Sequence, residues 1–259
     1  DDTSVQGGDG NDFVTGGDGD DTVEGGDGID LVLGDAGEDW VRGEEGDDLL
    51  YGGLDDDEIE GNEGNDAMFG GDGNDLITGY QDADANHGGA GDDEFSFFIA
   101  SFNAHSTFAA SDVVLDFEGA GVFGGDVIGY RQGGPTIWRG EQNISLTAGA
   151  ALGGGGNGLH DLMYTLVDGN TWLIGDLNDD GILDDDDVAI EFVGTQNFTE
   201  DDFRGVEFVI VGTEGDDVIT GTEGDDRIFA LGGNDQVFAL GGSDEVHGGT
   251  GDDFIDGGV

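Results

Sequence analysis

From Val14 onward an apolar residue returns at every ninth position: Val14, Val23, Val32, Val41, Leu50, Ile59, Met68, Ile77 and, past Asn86, Phe95. A second run places Ile219, Ile228, Val237, Val246 and Ile255 at the same interval. Each apolar residue and its two neighbours alternate out, in, out, which makes a minimal strand with one inward side chain. The inward residue is β-branched or large, as strand packing favours. The six residues before it are rich in glycine, so the backbone can take positive φ in a tight turn. One such strand cannot bury its side chain alone. Two units, eighteen residues, make one coil of a flattened right-handed roll, and coils stack in parallel about 4.8 Å apart. The predicted fold is all-β, a parallel β-roll (right-handed solenoid).

Cutting the chain in nines from Gly7 gives ten units over residues 7–96 without an insertion; five more begin at Gly212, followed by a truncated sixth. The sixth position is aspartate in every unit: Asp12, Asp21, Asp30, Asp39, Asp48, Asp57, Asp66, Asp75, Asp84 and Asp93, then Asp217, Asp226, Asp235, Asp244 and Asp253. Between the arrays glycine and aspartate thin out. Phe97, Phe98, Phe102, Phe108, Phe117 and Phe123 appear, with strand-like runs at Val113–Leu115 and Phe208–Val211 and a flexible loop at Gly153–Gly156. The organisation read from this is a roll over 1–96, a small β-rich cap or insert over 97–211, and a second roll over 212–259. An open solenoid end exposes apolar side chains and unpaired strand edges, which is why a cap is expected.

Charge changes the picture. The 259 residues carry 62 Asp and Glu against 5 Lys and Arg, a formal charge of −57, and every basic residue is arginine. Such a chain repels nucleic acid and anionic membranes. Acidic, glycine-rich composition alone reads as disorder, but a random acidic tail does not keep fifteen aspartates in phase. Cysteine is absent, so there is no disulfide and no thiolate metal site. No apolar run reaches ~20 residues, so no membrane span is expected, and Asp1–Gln6 shows no signal peptide.

Stacking gathers turn carbonyls and aspartates at one edge, where they repel. An oxygen-seeking cation resolves this. Calcium takes 6–8 oxygen ligands from carboxylates and carbonyls, whereas magnesium keeps its waters. Zinc needs His or Cys, and His87, His105, His160 and His247 are scattered. Asp176, Asn178, Asp180, Asp184 and Asp187, with Gly181 at position six, have the spacing of an EF-hand-like calcium loop. The other reading of that stretch is an acidic turn between strands. No zinc-protease H-E-x-x-H, nucleophile elbow or phosphate-loop lysine occurs. The expectation is a chain that is not an enzyme. Phe13 and Trp40, at outward seventh positions, read as surface side chains. Asn143-Ile144-Ser145 and Asn197-Phe198-Thr199 match the short glycosylation sequon.

A unit such as Gly25-Gly26-Asp27-Gly28-Ile29-Asp30-Leu31-Val32-Leu33 resembles the G-G-x-G-x-D-x-U-x repeat of the repeats-in-toxin (RTX) family. The resemblance covers 7–96 and 212–256. It implies multiple Ca²⁺ ions between successive turns on the same side. The ligands would be the fifteen sixth-position aspartates and loop carbonyls at the second and fourth positions. Those carbonyls belong to Gly8, Gly10, Gly17, Gly19, Gly26, Gly28, Gly37, Gly46, Gly64, Gly71, Gly73, Gly89 and Gly91, and to Gly215, Gly224, Gly233, Gly242 and Gly251. It also implies export by the type I secretion machinery, folding on extracellular calcium, and a secreted or cell-surface location. Sites joining alternate units would number about eight and about three. Two units depart: the sixth has Asp55 at its fourth position, and the ninth has Tyr80, Asp82 and Asn86, which argues against full occupancy over 79–87. Ser111–Phe117 with Gly125–Ile128, and Thr171–Ile174 with Ile190–Gly194, resemble the segment after the repeats in serralysin-type proteases and alginate epimerase modules.

The functional expectation is a calcium-folded scaffold, adhesin, surface-layer or fibre element, in which roll ends could associate end to end. One alternative is an accessory module of a secreted protease, epimerase, lipase or toxin whose catalytic domain lies outside this chain. Another is a disordered acidic calcium buffer. Both ends fall inside repeats, so the chain reads as a fragment of a longer polypeptide.

Overall fold

A computed structural model describes residues 2–98, 111–117, 126–131, 135–142, 146, 151–152, 160–176, 182–183, 187–196, 198, 202–204, 207–222 and 224–258. The Gly153–Gly156 loop and both sequon asparagines lie outside the described residues. In the first array the strands are β1 Ser4–Asp9, β2 Phe13–Asp18, β3 Thr22–Asp27, β4 Leu31–Ala36, β5 Trp40–Glu45, β6 Leu49–Leu54, β7 Glu58–Glu63, β8 Ala67–Asp72, β9 Leu76–Gln81, β10 Ala85–Ala90 and β11 Glu94–Phe98. Odd strands pair with odd and even with even, all parallel, so each residue lies over the one eighteen positions on, as in Val5↔Val23 and Val14↔Val32. The eighth-position side chains interleave between the two walls, and Val23, Val32, Val41, Leu50, Ile59 and Met68 are fully buried. β1 to β10 are six residues long and β11 five, not three. The ladder continues into the glycine turn (Gly26↔Glu44, Asp27↔Glu45), because successive turns share one backbone conformation.

That conformation is left-handed at the second and fourth positions of all ten units. Glycine supplies it at most of them, for example Gly26 (φ 115°) and Gly28 (φ 142°). Elsewhere Asp35, Glu44, Asp55, Asn62, Tyr80 and Asp82 adopt it, with φ from 71° to 83°. Stacking imposes it even where the side chain disfavours it by about 1 kcal/mol or more. The ninth unit therefore keeps the repeat backbone despite its sequence.

Asn86 is that unit's weak point. It is buried in the wall between Met68 and Val114, and its Oδ1 has no hydrogen-bond partner. Replacing it with the consensus residue, Asn86→Val, should stabilise the calcium-loaded chain by about 1–2 kcal/mol in urea unfolding. A loss of stability would show that the amide is needed there.

The central segment contributes β12 Asp112–Val114, β13 Val127–Arg131, β14 Pro135–Glu141, β15 His160–Val167, β16 Asn170–Asp176, β17 Val188–Phe192, β18 Phe203–Arg204 and β19 Glu207–Val211. The second array has β20 Val218–Thr220, β21 Arg227–Phe229, β22 Gln236–Phe238, β23 Glu245–His247 and β24 Phe254–Asp256. β12 pairs with β10 and β13 with β11, so the ladders run on after the repeats stop. β15 and β16 form a hairpin around Asp168-Gly169, both at positive φ, the dipeptide such a turn favours. β14 pairs with β19, and β19 with β21. One thirteen-stranded sheet thus passes from the first array through the central segment into the second. Phe117, Phe192 and Phe198, with ring centroids 4.8–5.6 Å apart, extend the first roll's core into the central segment. The second array has its own core of Ile219, Ile228, Ala230, Val237 and Ala239.

Candidate calcium ladder

Each sixth-position aspartate ends the glycine turn and turns inward. Asp21, Asp30, Asp39, Asp48, Asp57, Asp66, Asp75, Asp84 and Asp93 are at most 3% exposed. Their carboxylates form a ladder. The N–H of Asp12 donates to Asp30 Oδ1 at 2.7 Å, that of Asp30 to Asp48 Oδ1 at 2.7 Å, and that of Asp48 to Asp66 Oδ1 at 2.8 Å. The other edge repeats this from Asp21 to Asp39, Asp57 and Asp75. One oxygen of each carboxylate is thereby used. The other, Oδ2, is buried without a hydrogen-bond partner on Asp21, Asp30, Asp39, Asp48, Asp57, Asp66, Asp75 and Asp84.

Burial, partly offset by the backbone hydrogen bond and reinforced by neighbouring aspartates, raises the proton affinity of the ladder from Asp39 onward. It pushes Asp48 and Asp75 up to about 6, and Asp57, Asp66 and Asp93 up to about 7. Asp84 goes up to about 8 and Asp39 is also raised.

The first-position glycine makes room for the half-used carboxylate. A Cβ on Gly61 would lie 2.4 Å from Asp66 Oδ2 and 2.9 Å from the Gly79 carbonyl oxygen. Both oxygens therefore flank one small space. The sequence pattern points to ligands at the second, fourth and sixth positions and by itself gives the first no role. The signal was present, because the first position is glycine in all ten units.

Two further aspartates join the ladder: Asp112 Oδ1 accepts the Asp84 N–H at 3.0 Å and Asp126 Oδ1 the Asp93 N–H at 3.1 Å. Asp116 closes the next turn, accepting the N–H groups of Gly88 and Gly89 and pairing with His87 Nδ1 at 2.8 Å.

The second array is not uniform. Asp217 N–H donates to Asp235 Oδ1, and Asp235 N–H to Asp253 Oδ1. Asp226 N–H donates to Asp244 Oδ1. Asp235 and Asp244 keep an unpartnered buried Oδ2. In the first two units threonine occupies the second position. The Thr213 N–H reaches Asp217 Oδ2 at 2.6 Å and the Thr222 N–H reaches Asp226 Oδ2 at 2.7 Å, with the hydroxyls adding a second bond each. Gly233, Gly242 and Gly251 take positive φ, whereas Gly215 and Gly224 do not. The Oδ2 atoms of Asp217 and Asp226, left over elsewhere in the ladder, thus accept hydrogen bonds within their own turns.

Of the EF-hand-like loop, Asn178, Asp180 and Asp184 lie outside the described residues; Asp176 ends β16 and Asp187 is buried.

These donors suit calcium. They are carboxylate and carbonyl oxygens, repeated at each turn. Among the described residues no three ionisable side chains converge as zinc would require. The half-satisfied aspartates and adjacent carbonyls would hold the ion, which would supply the positive charge the buried column lacks.

No curated protein matches the chain. The sequence profile of the RTX calcium-binding nonapeptide repeat, in four copies, matches residues 1–32, 24–59, 33–68, 60–95, 211–246 and 238–259. These matches together span more than half of the chain, and their period is the one that builds the stacked coils and the aspartate ladder. The chain belongs to the RTX calcium-binding nonapeptide repeat family.

Proposed function

We propose that this calcium-binding module is a structural element of a secreted or cell-surface protein, a scaffold or adhesive spacer rather than a catalyst, folding on extracellular calcium after type I export. The observation that carries the reading is the column of buried aspartates with one oxygen hydrogen-bonded and one left over. Such a column is unfavourable when ionised and empty. It is favourable when calcium, at the ~10⁻⁴–10⁻³ M affinity of extracellular sites, fills it. At micromolar calcium the −57 charge keeps the chain open, which suits export. No helix among the described residues is long and apolar enough to cross a membrane.

Circular dichroism through a calcium titration at pH 8 tests this. The β signal should rise cooperatively at about 0.1–1 mM free calcium and vanish in chelator. A signal indifferent to calcium would sink the reading.

A further inference from the structure

The two walls of the first roll differ in what they show to solvent. On the even strands β2, β4, β6, β8 and β10 the seventh and ninth positions read Phe13/Thr15, Leu31/Leu33, Leu49/Tyr51, Ala67/Phe69 and Ala85/His87. No carboxylate occurs among these ten. The opposite wall carries Glu24, Glu58, Glu60 and Glu94 at the corresponding positions, with Arg42 the one cation among them. The apolar columns are accessible: Phe13 is 66% exposed, Tyr51 36%, and Leu115, next in the ninth-position column on the segment after β12, 37%. Tyr51 and Phe69 stack at 4.9 Å and Phe69 meets His87 at 5.6 Å, so the ring faces are turned to each other along the roll.

The same sheet is covered further along. On β15 and β16, Met163 and Ile174 point away from the roll's core, and Leu146, Leu152 and Leu183 pack over them in a separate buried cluster. The outer face of this sheet is thus an apolar packing surface, covered from within the chain at β15–β16 and bare over β2–β10.

We propose that a second copy of this chain covers the bare part, wall to wall. Charge selects the partner. Two chains of −57 repel wherever carboxylates meet, and the seventh- and ninth-position columns of this wall hold none, the nearest standing at its rim, where Asp35 accepts the Thr15 hydroxyl and Asp116 pairs with His87. Apposition here also turns both acidic walls outward, separated by more than a Debye length of about 8 Å. A basic partner would instead be drawn to the acidic wall.

Shape agrees. The seventh-position column tapers from Phe13 to Ala85 while the ninth-position column grows from Thr15 to His87. A two-fold axis along the stack sets Phe13 against Thr15, Ala67 against Phe69 and Ala85 against His87, large facing small, at the ~10 Å separation of packed sheets. Five strands at about 4.8 Å and two side chains across give on the order of 400 Å² per copy, a size that makes a weak, reversible dimer.

Sedimentation of the full chain in saturating calcium, over a series from micromolar to millimolar protein, tests this. Monomer–dimer exchange is expected. The double variant Leu33→Glu/Tyr51→Glu should weaken it at least tenfold, and Glu58→Gln on the opposite wall should leave it unchanged. Circular dichroism of each variant in calcium establishes that the roll is folded, so failure of calcium-driven folding is read separately from failure to pair. A folded chain that stays monomeric throughout would overturn the proposal, as would a dimer indifferent to the double variant or open-ended growth through the roll ends. A monomer whose wall binds the apolar dye ANS, lost in the double variant, would assign the face to a different partner and equally overturn it.

Discussion

Acidifying the calcium-free chain from pH 8 to pH 5 should restore much of the β signal that chelation removes. The folded roll holds Asp57, Asp66 and Asp93 at about 7 and Asp84 at about 8, while the ordinary value is 3.8. Burial is the largest cause in each. Between about pH 4 and pH 8 the folded chain therefore binds protons that the unfolded chain has released, and stability without calcium falls as pH rises through that window. Protons and calcium answer the same need, a positive charge beside a buried carboxylate. With calcium at 10 mM the trend should reverse, because protons then compete with the ion for Asp oxygens. The measurement is circular dichroism against pH with and without chelator. A calcium-free roll that loses structure on acidification would refute the argument.

The second large effect is a change of sign at one residue. Asp66→Asn should destabilise the chain in calcium and stabilise it in chelator at pH 8. Asparagine keeps an acceptor for the Asp48 N–H, 2.8 Å from Asp66 Oδ1, and its Nδ2 replaces the unpartnered Oδ2 beside the Gly79 carbonyl. In chelator this removes one desolvated carboxylate and adds a donor to a carbonyl. In calcium it removes a charged ligand. For a site of ~10⁻⁴ M affinity at 10 mM calcium the loss is about 2.7 kcal/mol. Asp66→Ala is the contrasting variant. It strands the Asp48 N–H and should destabilise by about 1–3 kcal/mol even without calcium. Urea unfolding in calcium, and the pH at which the calcium-free roll loses its β signal as pH rises, separate the two; an asparagine variant whose calcium-free roll melts at a lower pH than wild type would count against the ladder as described.

Much of this was legible in the sequence. A nine-residue period with one apolar and one aspartate position dictates a strand with a single inward side chain, a turn, and a coil of two units. Parallel register over eighteen residues then follows, because only that stacking keeps every apolar side chain inside. The choice of an oxygen-bound cation followed from the absence of cysteine and the scatter of histidine. The ninth unit reads as a break in the sequence yet holds its place in the fold. Tyr80 and Asp82 take the backbone of their neighbours, and Asp84 keeps both ladder bonds.

Tertiary structure decided what does not repeat. Asp112 and Asp126 extend the ladders at separations of 28 and 33 residues, not 18; no period points to them, and only stacking brings them under Asp84 and Asp93. Thr213 and Thr222 supply the bonds to Asp217 and Asp226 that the other units leave open, a difference of one side chain inside an unchanged aspartate register. The continuity of one sheet from the first array to the second depends on β14 meeting both β15 and β19 in space. A period records what each unit shares. Which oxygen is left over, and which side chains line up in a column, depends on neighbours one coil away, and those the chain acquires only by stacking.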